Sequence, residues 1–145
     1  MPYRFALAPV LRLRQSIEER DLHLLEQTQL EIAHVIRLLE SVGEQRLTEI
    51  TTREHELLTK TSGTHLQVIE TVRGRAKEVQ HRLEQSLAEL QRRREHQLAN
   101  YEAAKRNRQV LSDLFERQHE AYEARAARER QRVTDDLFLA RHRRK

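Results

Sequence analysis

The sequence predicts an all-α protein, two long helices folded back on one another as an antiparallel coiled-coil hairpin. Three observations lead there. Of 145 residues 34% are charged and only 4% aromatic, a balance that suits long solvated helices rather than a thick globular core. The apolar residues recur at alternating steps of three and four, which disordered chains of similar charge lack. The strongest helix breakers are also confined: both prolines, Pro2 and Pro9, lie within the first nine residues, and only Gly43, Gly63 and Gly74 follow.

The first helix is expected over about 6–60, from Leu22 and Leu25 through Ile32, Ile36 and Leu39 to Ile50 and Leu57. Its a positions are placed at 22, 29, 36, 43, 50 and 57, with Val35, Val42 and Leu47 on the flanks. The cluster Thr61-Ser62-Gly63-Thr64 supplies the turn, since Thr64 and Gln67 have the T-x-x-Q spacing of a capping box. The second helix then runs over about 65–140, its seam passing through Leu66, Ile69, Val72, Ala76, Val79 and Leu83 to Leu87, Leu90, Tyr101, Ala104, Leu111 and Phe115. The whole chain reads as one domain. Gly43 and Gly74, roughly opposite one another, are expected to mark a flexible or closely packed section.

A fold about Gly63 makes facing residue numbers add to about 126. Leu57 then meets Ile69, Ile50 meets Ala76, Ile36 meets Leu90 and Leu11 meets Phe115, and Glu18 falls opposite Arg108. Such polar pairings within a seam fix register at a cost in stability. The same register places residue 1 near residue 125, so that about 30 Å of single helix extends beyond the start of the first.

Several chemistries find no support. The chain has no cysteine, which excludes disulfides and thiolate catalysis. The eight histidines, at 23, 34, 55, 65, 81, 96, 119 and 142, are never three or four apart, so no helix face presents two of them as zinc ligands do. Carboxylates alternate with arginines as on an exposed coiled-coil flank, with no cleft to separate the pKa values of an acid and a base. Thr61-Ser62-Gly63-Thr64 lacks the lysine and second glycine of a phosphate-binding loop. We therefore expect no enzyme activity, cofactor or metal. The longest apolar run, Phe5 to Leu11, stops at Arg12, short of a signal-peptide core and of the ~18 residues a membrane span needs. A soluble cytoplasmic protein is expected, monomeric when free.

The two ends carry the remaining information. From Arg117 to Lys145 there are nine Arg and Lys against five Asp and Glu, a surplus equal to the formal net charge of +4 for the whole chain. Nucleic-acid binding is one reading, but Glu129, Asp135 and Asp136 interrupt the basic segment and no aromatic stacking platform or zinc finger accompanies it. At the other end Leu7, Val10 and Leu11 are suited to close the coiled coil, and Phe5, Val10, Leu13 and Ile17 to form an exposed apolar patch of the kind that marks interfaces.

The start, Phe5-x-Leu7-x-x-Val10-Leu11-x-x-Arg14 followed by Glu18-Glu19, resembles the opening of the FliJ family of flagellar export proteins. The end, Arg128-Glu129-Arg130-Gln131-Arg132-x-x-Asp135-Asp136-Leu137-x-x-x-Arg141, is similar to that family's closing pattern, from which Val133 and Phe138 depart. Together the two segments cover about a third of the chain, and the middle matches only in heptad character. The resemblance implies a stalk like that of rotary ATPases, placed at the inner-membrane type III export apparatus that builds the flagellum and supports motility. Its implied partners are the export ATPase hexamer, the export-gate membrane protein and the export chaperones it escorts. It implies ATPase contact at Phe5, Leu7, Val10, Leu11, Arg14, Arg128, Arg130, Arg132, Asp136, Leu137 and Arg141. The gate contact lies on the hairpin body in that family, where Val72, Ala76, Val79 and Leu83 offer an apolar face. The equivalent stalk of an injectisome, a parallel homodimeric scaffold of one continuous helix and a basic nucleic-acid binder are the alternative readings.

Overall fold

The computed structural model describes residues 2–59 and 63–144. Within them the chain forms two helices, α1 (Ala8–Leu58) and α2 (Gly63–Arg143), of 51 and 81 residues, which pack against each other as an all-α hairpin. Of the expected turn, Thr61 and Ser62 lie outside the described residues. Gly63 and Thr64 open α2 instead of belonging to the turn. Pro9 sits in the first turn of α1, where its missing N–H and fixed φ suit a helix start.

Contacts group the chain into two units, Asp21–Asn100 and Met1–Arg20 with Tyr101–Lys145. In the first of them α1 and α2 run antiparallel, since partners on α2 rise in number as those on α1 fall. Glu56 meets His65 at 2.9 Å, Arg53 meets Glu70 at 2.5 Å, Arg46 donates to Gln80, and Glu31 faces Arg93 at 3.6 Å. The core of this unit is Leu25, Thr28, Ile32 and Leu90. Thr28 is only 3% exposed yet satisfied, because its hydroxyl donates to the Leu24 carbonyl one turn back at 3.1 Å and leaves the methyl to pack.

The seam of α1 keeps one of its two expected columns and exchanges the other: Leu25, Ile32 and Leu39 face inward as expected, but the column of Leu22 and Ile36 gives way to that of Val35 and Val42, expected on the flank. Leu22, Ile36, Ile50 and Leu57 are exposed, whereas the inward positions are 25, 32, 39, 46 and 53 alternating with 28, 35, 42, 49 and 56. The expected contacts of Ile50 and Leu57 with Ala76 and Ile69 therefore do not form the core. Counting Leu and Ile favoured the column of Leu22, Ile36, Ile50 and Leu57 because both inward columns become polar toward the turn, at Arg46, Glu49, Arg53 and Glu56. Long charged side chains can line such a seam by packing their stems and pairing their heads, as Arg46, Arg53 and Glu56 do. On α2 the inward column is Leu66, Ile69, Arg73, Ala76, Gln80, Leu83, Leu87 and Leu90.

Gly43 and Gly74 do not mark close packing: a Cβ added at either would meet nothing within 4 Å. Both are helical, so substitution relieves backbone entropy without a clash. Gly43→Ala and Gly74→Ala are each expected to stabilise the fold by about 1 kcal/mol, read as a higher midpoint in thermal or urea unfolding.

In the second unit Ala104 is buried, and Arg108 meets Glu18, the pair expected from the register. The guanidinium donates from Nε to Glu18 Oε2 at 2.7 Å and from Nη2 to Oε1 at 3.3 Å. A two-pronged contact of this kind loses both bonds on a slip, so it specifies register. The hydrogen bond to Glu18 raises the pKa of Arg108 above its ordinary value, and the side chain stays charged at any working pH.

Candidate partner-binding end

The second unit contains both segments that the sequence singled out, and the local chain path explains how the N-terminal one is held. Before α1 the chain turns, with Ala8 N–H donating to Phe5 O at 3.1 Å, and residues 3 and 5 are directed back onto α2. Phe5 is 8% exposed and sets its ring edge-on against Phe115, centroids 5.3 Å apart. Tyr3 reaches further along α2, touching Phe115 at 5.8 Å and His119 and Tyr122 at 5.3 Å each, while its hydroxyl donates to Gln118 Oε1 at 3.2 Å. Phe115 and His119 stack at 5.8 Å. Aromatic contacts of these geometries add about 0.5–1.5 kcal/mol each beyond area burial, so together they clamp residues 3–5 to α2.

This cluster was missed in the sequence, although a signal existed. The chain has three Tyr and three Phe, and four of those six, at 3, 5, 115 and 122, meet here. Phe5 is thus part of the clamp rather than of an exposed patch, and Ile17 is half-buried. Val10 and Leu13 remain outside, 41% and 59% exposed. Phe5→Ala is expected to open this end by about 2–3 kcal/mol, below the usual range for a core Phe because water can refill the site. Faster amide exchange of α1's first turns, with the protection of residues 80–95 unchanged, is the measurement that checks it.

Past the clamp α2 continues alone. Ala126 is the last half-buried residue, and every described side chain from 127 to 144 is exposed. Local bonds stay within the helix: Arg130 Nε donates to the Ala126 carbonyl at 3.3 Å, Gln131 to Asp135 at 2.9 Å, and Phe138 stacks on His142 at 4.5 Å. Val133, Leu137, Phe138 and Leu139 are each more than half exposed, unusual for four apolar residues so close together.

The residues assigned to ATPase contact by resemblance fall into two settings. Phe5 is buried, Leu11 and Arg14 are half-buried, and Leu7 and Val10 are exposed at the start of α1. Arg128, Arg130, Arg132, Asp136, Leu137 and Arg141 are all exposed on the solitary part of α2. The four gate residues lie along one stripe of α2 but differ in exposure. Ala76 and Leu83 lie in the seam, half-buried, while Val72 and Val79 are exposed on the flank beside it.

Among the described residues, no group of three His, Cys, Asp or Glu is placed to hold a metal ion, and no helix is long and apolar enough to cross a membrane. The geometry defines a helical hairpin with one aromatic-clamped, cationic end. No family model, curated protein or solved structure matches the chain.

Proposed function

We propose that this chain is the stalk of a flagellar type III export apparatus, binding and stimulating the export ATPase ring and linking it to the export gate and chaperones. The observation that carries the reading is the solitary, wholly exposed end of α2 with its arginines, directly beyond the clamp formed by the chain's first residues. The two segments that resemble the FliJ family belong to that one unit. A helix continuing past its partner with positive charge on its sides suits insertion into the centre of a ring, where charge complementarity steers docking.

In this reading the hairpin does no chemistry. It biases the ATPase toward its assembled form by binding that form more tightly, and a ligand shifts an equilibrium only by such a difference. Val72 and Val79, exposed on the flank, are the accessible part of the proposed gate contact. The protein would act in the cytoplasm, peripherally at the inner membrane. Adding it to the cognate export ATPase should raise turnover and shift the enzyme to larger assemblies in sedimentation. Unchanged turnover and assembly would refute the proposal.

A further inference from the structure

On the solitary part of α2 the inward column does not stop where its cover does. The half-buried positions Tyr122 and Ala126 continue at the same three- and four-residue steps to Glu129, Val133, Leu137 and Ala140. A shallow groove follows the first part of this column, as far as Thr134, with Tyr122, Ala126, Glu129 and Val133 along its middle and Arg125 and Arg130 on either side. Upstream, the same column is covered by the first turns of α1 and by Tyr3 and Phe5. We infer that the α2 groove from Tyr122 to Thr134, together with the apolar positions Leu137 and Ala140 that continue its column, is a docking site for an acidic amphipathic helix of a partner protein, laid along α2 as a continuation of the α1–α2 seam.

Two observations select that occupant. The first is continuity: the site extends an interface already filled by a helix, so another helix with apolar residues at three- and four-residue steps meets the same ridges. Glu18 against Arg108 shows how such a helix places a carboxylate opposite a seam arginine. The second is charge. Residues 126–145 carry seven Arg and Lys against three Asp and Glu, so glutamates on the flanks of the incoming helix would pair with Arg125 and Arg130. A second copy of this chain fits poorly, because it would bring two arginine-rich tails together. Glu129 on the groove floor asks for a single donor side chain at the matching position of the partner.

The inference rests on the proposed function only in taking this end as the one that faces a partner, and its test needs no ATPase. Two fluorescent peptides of about three heptads share one apolar seam and differ in having Glu or Lys on the flanks. The full-length protein should bind the acidic peptide at least about tenfold more tightly, with the advantage shrinking as salt rises. Val133→Asp should abolish binding with unchanged helicity by circular dichroism, and Arg125→Glu with Arg130→Glu should reverse the preference toward the Lys peptide. Equal affinity for both peptides, no binding of either, or indifference to Val133→Asp would overturn the inference. So would self-association of the free chain that Val133→Asp abolishes. Absence of any ATPase stimulation by the protein, with peptide binding intact, would count against the proposed function and leave the groove standing.

Discussion

Under the proposed function, removal of residues 126–145 is expected to abolish stimulation of the export ATPase while leaving the hairpin folded. The deleted residues carry the whole formal charge of +4, so the remaining chain is neutral and loses its long-range attraction to an acidic partner along with its docking surface. They contribute almost nothing to the hairpin itself, because every described side chain from 127 onward is exposed and the clamp ends at Tyr122. The unfolding midpoint should therefore move by no more than about 0.5 kcal/mol equivalent, as for other surface changes. Full stimulation by the truncated chain would remove the tail from the ATPase contact. A collapse in thermal stability would mean that the tail has a structural role within the fold.

Ile32→Ala should be, with Leu25→Ala, among the most destabilising single aliphatic truncations on α1. Ile32 is 7% exposed and lies beside Leu25 and Thr28 in the core of the Asp21–Asn100 unit. The loss should be about 2–3 kcal/mol, low in the range for Ile→Ala because two helices leave no enclosed cavity. Ile36→Ala, one turn later and 39% exposed, should cost less than about 1 kcal/mol. Urea unfolding of the two variants compares the columns directly. A loss at 36 as large as that at 32 would return Ile36 to the seam, where heptad spacing puts both residues, and overturn the arrangement described.

That comparison also shows where the sequence was legible. Two helices, the absence of strands among the described residues and the Glu18–Arg108 pairing all follow from heptad spacing, a break at small residues and simple antiparallel counting. Only one of the two α1 columns that face α2 followed: Leu25, Ile32 and Leu39 were legible, but Leu22, Ile36, Ile50 and Leu57 form a more apolar column than Val35, Val42, Glu49 and Glu56, which are the inward ones. Local periodicity identifies an amphipathic face but not which edge of a wide face the partner occupies. Arg46 and Arg53 are inward because Gln80 and Glu70 meet them across the interface, knowledge that spacing along one helix does not contain.

The ends divide in the same way. Composition and residue order alone gave the helical class, the cationic C-terminal segment and the apolar start. Tertiary structure alone decided that Phe5 and Tyr3 turn inward onto Phe115, His119 and Tyr122, and that the groove beyond Tyr122 is left open. The physical reason is one of range. Helix formation and charge distribution depend on neighbours a few residues apart, whereas burial of Phe5 depends on a ring 110 positions away that only the folded hairpin brings to 5.3 Å.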